Sequence, residues 1–265
     1  MRPIGVFDSG VGGLTVVAAL RRRLPRESIV YLGDTARLPY GTKSAATVAR
    51  YTASNVEFLL DRDVRAVVVA CNTASALALD TLEAPVPLWG VVEPGADLAA
   101  RTSRGRVGIV ATESTIASGA YSRALLARRD DLEIVAQSCP LFVPLVEEGW
   151  CDDPITRQIA ERYLEPLLAA EIDTLVLGCT HYPLLAPLLQ EIVGPEIRLV
   201  DSAEAVAEVV ARELEPEAAS GSPGVAAHRL FVTDGAARFE RLADWILGER
   251  GTPLELVDVA SAERR

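Results

Sequence analysis

Two short stretches bring reactive side chains to matched places. Ala70-Cys71-Asn72-Thr73 and, 108 residues later, Gly178-Cys179-Thr180-His181 each follow an apolar run and set a cysteine beside hydrogen-bonding residues. One free cysteine closing a strand is ordinary packing, since an unpaired thiol behaves as a small hydrophobe. Two at equivalent positions ask for chemistry. A thiol of pKa near 8.5 is readily moved by its neighbours and can act as acid or base. Ligands of an open parallel sheet sit beyond the carboxyl ends of its strands. Both cysteines fall there, as does Asp8-Ser9 after the first apolar run. If two like domains face each other across a cleft, the thiols address one ligand from opposite sides. Taking a proton from one face of a carbon and returning one to the other inverts a stereocentre. Each thiol then needs a proton-handling neighbour, and Asp8 and His181 are at hand for Cys71 and Cys179 respectively.

The elements that must position these residues read as α/β. Strands are expected at Ile4–Phe7, Ser28–Leu32, Ala66–Ala70 and Leu88–Val92, and again at Arg106–Val110, Glu133–Ala136, Thr174–Leu177 and Ile197–Val200. Helical patterns lie between, with Val48, Tyr51, Asn55, Phe58 and Leu59 on one face of a helix from about Ser44. Near-continuous apolar strands separated by helices mean a parallel sheet covered on both faces. The two sets also match each other: Gly5-Val6-Phe7 with Gly108-Ile109-Val110 at an offset of 103, Ile29-Val30 with Ile134-Val135 at 105, and Val92-Glu93 with Val200-Asp201 at 108, the cysteine spacing. A duplicated unit follows. After about Arg212, "EPEAASGSPGVAAH" reads as a loop, and "RLFVTDG", "AARFERLADWILG" and "LELVDV" as a strand, a helix and a strand returning to the first unit. The expected division is 1–95 plus 211–265 for a discontinuous first domain and 96–210 for the second.

Composition excludes several classes. A net charge of −11 disfavours a nucleic-acid partner, and Arg21-Arg22-Arg23 reads as the solvated basic end of a helix. No apolar run approaches a membrane span, and "MRPIGVFDSG" contains no secretory apolar stretch. Four cysteines in 265 residues do not make a disulfide framework, so a reducing cytoplasm is expected. "DSGVGG" lacks the ending of a phosphate loop and the dinucleotide spacing; its backbone N–H groups could hold an anion, or Asp8 could simply form the turn. Common zinc spacings are missing. Cys139 and Cys151 lack Asn, Thr or His beside them, His228 falls in the expected loop, and Trp89, Trp150 and Trp245 read as packing residues, with Trp150 near enough to Glu147 to reach a pocket rim.

"GVFDSGVGG", "GDTARLPYG", "ACNTAS", "PLVEEG" and "GCTHYP", in this order between about Ile4 and Ser202, resemble the cofactor-independent aspartate/glutamate racemase family. The resemblance implies two pseudo-symmetric α/β domains with the active site between them, interconversion of L- and D-glutamate, and D-glutamate for peptidoglycan. It makes Cys71 and Cys179 the acid/base thiols, assisted by Asp8 and His181, with Glu147 rather than the adjacent Glu148 orienting the histidine. Ser9, Tyr40, Gly41, Asn72, Thr73 and Thr180, together with Asp8 and His181, match substrate-binding positions. It implies no pyridoxal phosphate, flavin or metal, and a homodimer; a secondary inhibition of DNA gyrase, reported for some members, is not expected here. Rival activities are aspartate racemisation, another small-acid isomerisation, or a dithiol oxidoreductase pairing Cys71 with Cys179. The binding positions hold no Arg or Lys, so neutral donors must meet the substrate carboxylates.

Overall fold

The computed structural model describes residues 2–218 and 226–259. One sheet runs, edge to edge, through Leu254–Leu256 (β10), His228–Val232 (β9), Ile29–Gly33 (β2), Ile4–Asp8 (β1), Ala66–Val69 (β3) and Leu88–Gly90 (β4). The other runs through Glu133–Ser138 (β6), Arg106–Ala111 (β5), Thr174–Gly178 (β7) and Arg198–Asp201 (β8). Every strand pair is parallel. The order β2-β1-β3-β4 is repeated as β6-β5-β7-β8, and β9 and β10 extend the first sheet only.

The strand ladders carry the duplication to single residues. Phe7 lies opposite Val69 and Val110 opposite Leu177, so offsets of 103 for the central strands and 108 for the cysteine strands agree. Ile4 opposite Ile29 and Val107 opposite Ile134 reproduce the offset of 105. The fourth anchor slips. Val69 pairs with Gly90 and Leu177 with Asp201, so Gly90, not Glu93, is the counterpart of Asp201. The edge strand β4 is three residues long, and the chain leaves it early: Val92 already opens the helix Val92–Thr102 (α4).

Strands β1, β2, β3 and β7 are buried at every residue, which explains why they read as continuous apolar runs. Successive side chains point to opposite faces. Ile4, Val6, Ile29, Tyr31, Ala66 and Val68 therefore pack against Leu14–Arg23 (α1), Ser202–Ala218 (α10) and Ala236–Leu247 (α11), while Phe7, Val30, Leu32, Val67 and Val69 pack against Ala45–Leu60 (α2). The second sheet repeats this: Val110, Leu175 and Leu177 face Phe142–Glu147 (α7), Pro154–Ala169 (α8) and Ala186–Val193 (α9), and Val107, Ile109 and Val176 face α4 and Ala120–Leu126 (α6). Ser44 caps α2, accepting from the Thr47 amide at 3.4 Å, as the onset of its apolar face suggested.

Some expectations change. The segment after Arg212 continues as α10 to Ala218, running on past Leu214, which is buried in the first core; residues 219–225 of the expected loop lie outside the described residues. His228 is not in a loop but opens β9, opposite Ile29. The basic end of α1 is paired rather than merely solvated: Arg21 grips Glu249 with two bonds of 2.6 and 2.7 Å, and Arg22 and Arg23 meet Glu204 of α10. Trp89 packs against the first core, but Trp150 and Trp245 are exposed at 46% and 47%. Among the described residues, no helix is long and apolar enough to cross a membrane.

Leu177, fully buried one residue before Gly178, tests the second core. Leu177→Ala should lower the unfolding free energy in urea by about 3 kcal/mol; a loss below about 1 kcal/mol would contradict the packing described.

Candidate active site

The carboxyl ends of β1 and β3 from one sheet and of β5 and β7 from the other open on a shared cavity of about 320 Å³. Ser9, Tyr40, Gly41, Cys71, Asn72 and Thr73 line it from the first half. Glu147, Cys179, Thr180 and His181 line it from the second. Both cysteines thus face one space. Of the residues singled out in the sequence, Asp8 is the one placed beneath the cavity wall rather than in it, buried behind Ser9. Trp150 is not part of the lining.

Cys71 stands at the start of the helix Asn72–Leu77 (α3), its sulfur accepting from the Ala74 amide at 3.5 Å. Its other polar neighbour is the Ser9 hydroxyl at 3.6 Å, not the Asp8 carboxylate. Burial, aided by the negative charge of nearby Asp8, pushes the thiol up to about 12, so it rests protonated. Asp8 itself is folded into the glycine turn, accepting from the Gly10 amide at 2.9 Å and the Thr180 hydroxyl at 3.3 Å. The anion held by this turn is its own side chain. Burial raises the Asp8 pKa, an effect that the His181 charge and these donors only partly offset.

On the opposite wall, His181 Nδ1 lies 4.0 Å from the Cys179 sulfur and Nε2 lies 3.0 Å from Glu147 Oε1 at the end of α7. Burial alone would press the His181 pKa down. The hydrogen bonds to Cys179 and Glu147, with the charge of both acids, outweigh that and carry it up to about 10. Burial likewise favours a protonated Glu147, but its bond to His181 and the Arg238 charge hold its carboxyl below the usual range. Glu148 is exposed and bonds Arg238 at 3.0 Å, so geometry distinguishes two acids that sequence left side by side.

The two halves interlock at "DSGVGG". A Cβ on Gly12 would fall 2.4 Å from both His181 Nδ1 and Thr180 Oγ1, and one on Gly13 would fall 2.4 Å from the Asp8 Cβ. Neither glycine has a positive φ; these positions exclude a side chain for want of space. Thr15 of α1 adds a bond to the Thr180 carbonyl at 3.0 Å.

Other candidate residues are already engaged. The Tyr40 hydroxyl donates to buried Asp34 and accepts from Asn55 at 3.0 Å, leaving its ring and the adjoining Gly41 to shape the wall. Asn72 accepts from Tyr121 at 2.6 Å and reaches Ser202 at 3.4 Å. Thr73, Thr112 and Thr115 form a triangle of hydroxyls 3.0–3.1 Å apart, the last from the helix Glu113–Ser118 (α5). Thr112 lines the cavity and was missed in the sequence. A signal existed: the offset of 103 that equates Phe7 with Val110 also places Thr112 opposite Ser9. The described lining contains neither Arg nor Lys, leaving His181 as the basic group facing the space.

Residues 13–210 match the family described as Asp/Glu/Hydantoin racemase. The chain belongs to that family. It is 49% identical over 263 residues to the glutamate racemase of Syntrophus aciditrophicus, covering 98% of this chain and 97% of the relative. The solved glutamate racemase isoform of Bacillus anthracis superposes with a TM-score of 0.93 at 38% identity, covering 97% of this chain and 98% of its own. The Francisella tularensis glutamate racemase, solved in complex with D-glutamate, gives 0.91 at 36% identity and 98% of each chain. As a member of the racemase family, the chain is an isomerase.

Two measurements check this site. His181 titrates near 6.5 when unfolded, and its raised folded value means that it favours the folded state fully below about 6.5 and loses that contribution as pH rises through about 10. NMR of its imidazole should therefore show a protonated ring at pH 8; titration at the ordinary value would contradict the described contacts. Gly12→Ala should displace His181 and cut racemase activity at least about tenfold while the chain still folds. Unchanged turnover and ring position would show that the turn has slack.

Proposed function

We propose that the chain racemises glutamate by passing protons between its α-carbon and two thiols, Cys71 and Cys179. The observation that carries this reading is that one cysteine from each half lines the same cavity. In one direction the thiolate of one cysteine takes the α-proton: the C–H bond breaks, an S–H bond forms, and the electron pair stays on carbon. The resulting planar carbanion is then protonated on its other face by the second thiol, whose S–H bond breaks as the new C–H bond forms. No oxidant or reductant is consumed. The reverse direction exchanges the roles. His181, held by Glu147, serves the Cys179 side, and the Ser9 hydroxyl together with the charge of Asp8 serves the Cys71 side.

An amino-acid α-hydrogen is a weak acid, so the site must favour the developing charge and keep water out. The hydroxyls of Ser9, Thr73 and Thr180, the Asn72 amide and the Tyr40-Gly41 wall are the proposed substrate contacts. Neutral donors suit a symmetric task, because a guanidinium fixed on one side would favour one enantiomer. We take the working unit as 1–95 plus 211–265 facing 96–210, with α10 beginning in the latter stretch and packing onto the first sheet, in a cytoplasmic homodimer that needs no pyridoxal phosphate, flavin or metal and supplies D-glutamate to peptidoglycan. The glutamate racemase names of the full-length relatives support glutamate over aspartate.

Incubation of the enzyme with L-glutamate in deuterated water should give D-glutamate carrying α-deuterium, with aspartate turned over far more slowly. Cys71→Ser and Cys179→Ser should each lower turnover in both directions by about 10²- to 10⁴-fold. Full racemisation by either variant, or faster aspartate turnover, would overturn the assignment.

A further inference from the structure

Glu147 uses its two carboxylate oxygens differently. Oε1 faces His181 Nε2 at 3.0 Å, and Oε2 faces Nη2 of Arg238 at 3.4 Å, the same nitrogen that bonds Glu148 at 3.0 Å. Arg238 comes from the other half of the molecule. It sits on α11, whose Phe239 and Ala243 are buried in the core of the six-stranded sheet, whereas Glu147 ends α7, packed on the four-stranded sheet. The corresponding acid on the Cys71 side needs no such partner, because Asp8 is fixed by the Gly10 amide next to it and by Thr180.

We propose that Arg238 is a positioning residue: reaching across from the first half, it fixes the Glu147 carboxylate that aims the His181 ring at the Cys179 sulfur. The inference rests on the two-thiol reading above. With both oxygens engaged, the carboxylate plane has one orientation; with Oε2 released, Glu147, whose side chain is 18% exposed, can turn toward solvent and take the imidazole with it. Arg238 also makes this alignment conditional on the two halves being together, since parting them breaks the pair. Its side chain is half exposed, so the pair adds little to global stability and its effect is local.

The test uses Arg238→Gln, Arg238→Lys and the pairing of Arg238→Gln with Glu147→Gln in the full chain. Arg238→Gln should lower kcat about tenfold in both directions, with KM altered less than about twofold and the melting midpoint within about 3 °C of the parent. Arg238→Lys should recover most of the loss. The double variant should be no slower than Glu147→Gln alone, as expected when one residue acts through the other. Independently of activity, ¹⁵N NMR of the substrate-free enzyme should show the His181 ring resonances shifted by Arg238→Gln and those of His228, the other of the two histidines, unmoved. Additive losses in the double variant, or unchanged His181 resonances with unchanged kcat, would overturn the role. A parent enzyme that leaves glutamate unracemised would strike at the two-thiol reading instead, and the NMR comparison would still decide whether Arg238 sets the imidazole.

Discussion

The constraint on which the rest of the site depends is a close approach of the two halves at one glycine. Gly12, just before α1, lies so near the Thr180 hydroxyl and the His181 ring that even a methyl group has no place there. Around this contact, Thr180 bonds Asp8 and Thr15 bonds the Thr180 carbonyl, so the loop after β1 and the loop after β7 are fastened as one unit. Those loops end the central strands of two sheets that the chain could otherwise have held apart. Their closure makes two strand-end pockets into one cavity, with a cysteine on each wall.

The two walls are built from duplicated parts but are electrostatically unlike. Cys71 is a buried thiol with a neighbouring carboxylate, and both its burial and that charge keep its proton in place. Facing it, Cys179 has an imidazole that burial should neutralise and that its contacts with Cys179 and Glu147 instead keep charged. The walls differ in what stands beside each sulfur, an imidazolium next to Cys179 and a carboxylate near Cys71. The duplicated strand order supplies matched positions, and the unlike neighbours set the two walls apart.

The sequence made the strand ends legible because β1, β3 and β7 are buried on both faces, so each reads as an apolar run stopping abruptly at Asp8, Cys71 or Cys179. Register was legible for the same reason, through the matches at 103, 105 and 108 that the ladders reproduce. The slip came at β4, where a three-residue edge strand with half-buried Leu88 and Trp89 leaves too little pattern to align. Individual polar roles were harder. Asp34 is fully buried and gathers Arg37, Tyr40, Asn55 and Thr233, residues up to 199 positions away, to hold the wall that carries Gly41. Nothing local marks it as such a hub. Arg238 was equally hidden, because its partners are brought to it by the return of α11 to the first sheet. Thr112 differed: a rule already in hand, the offset of 103, would have found it.

The central claim is geometric, and a crystal structure of the enzyme with glutamate bound tests it most directly. The account predicts the α-carbon between the two sulfurs, each within about 4 Å and on opposite faces of the carbon, as a proton transfer from either side requires. A bound glutamate whose α-carbon is within reach of one sulfur alone, or that presents the same face to both, would contradict it.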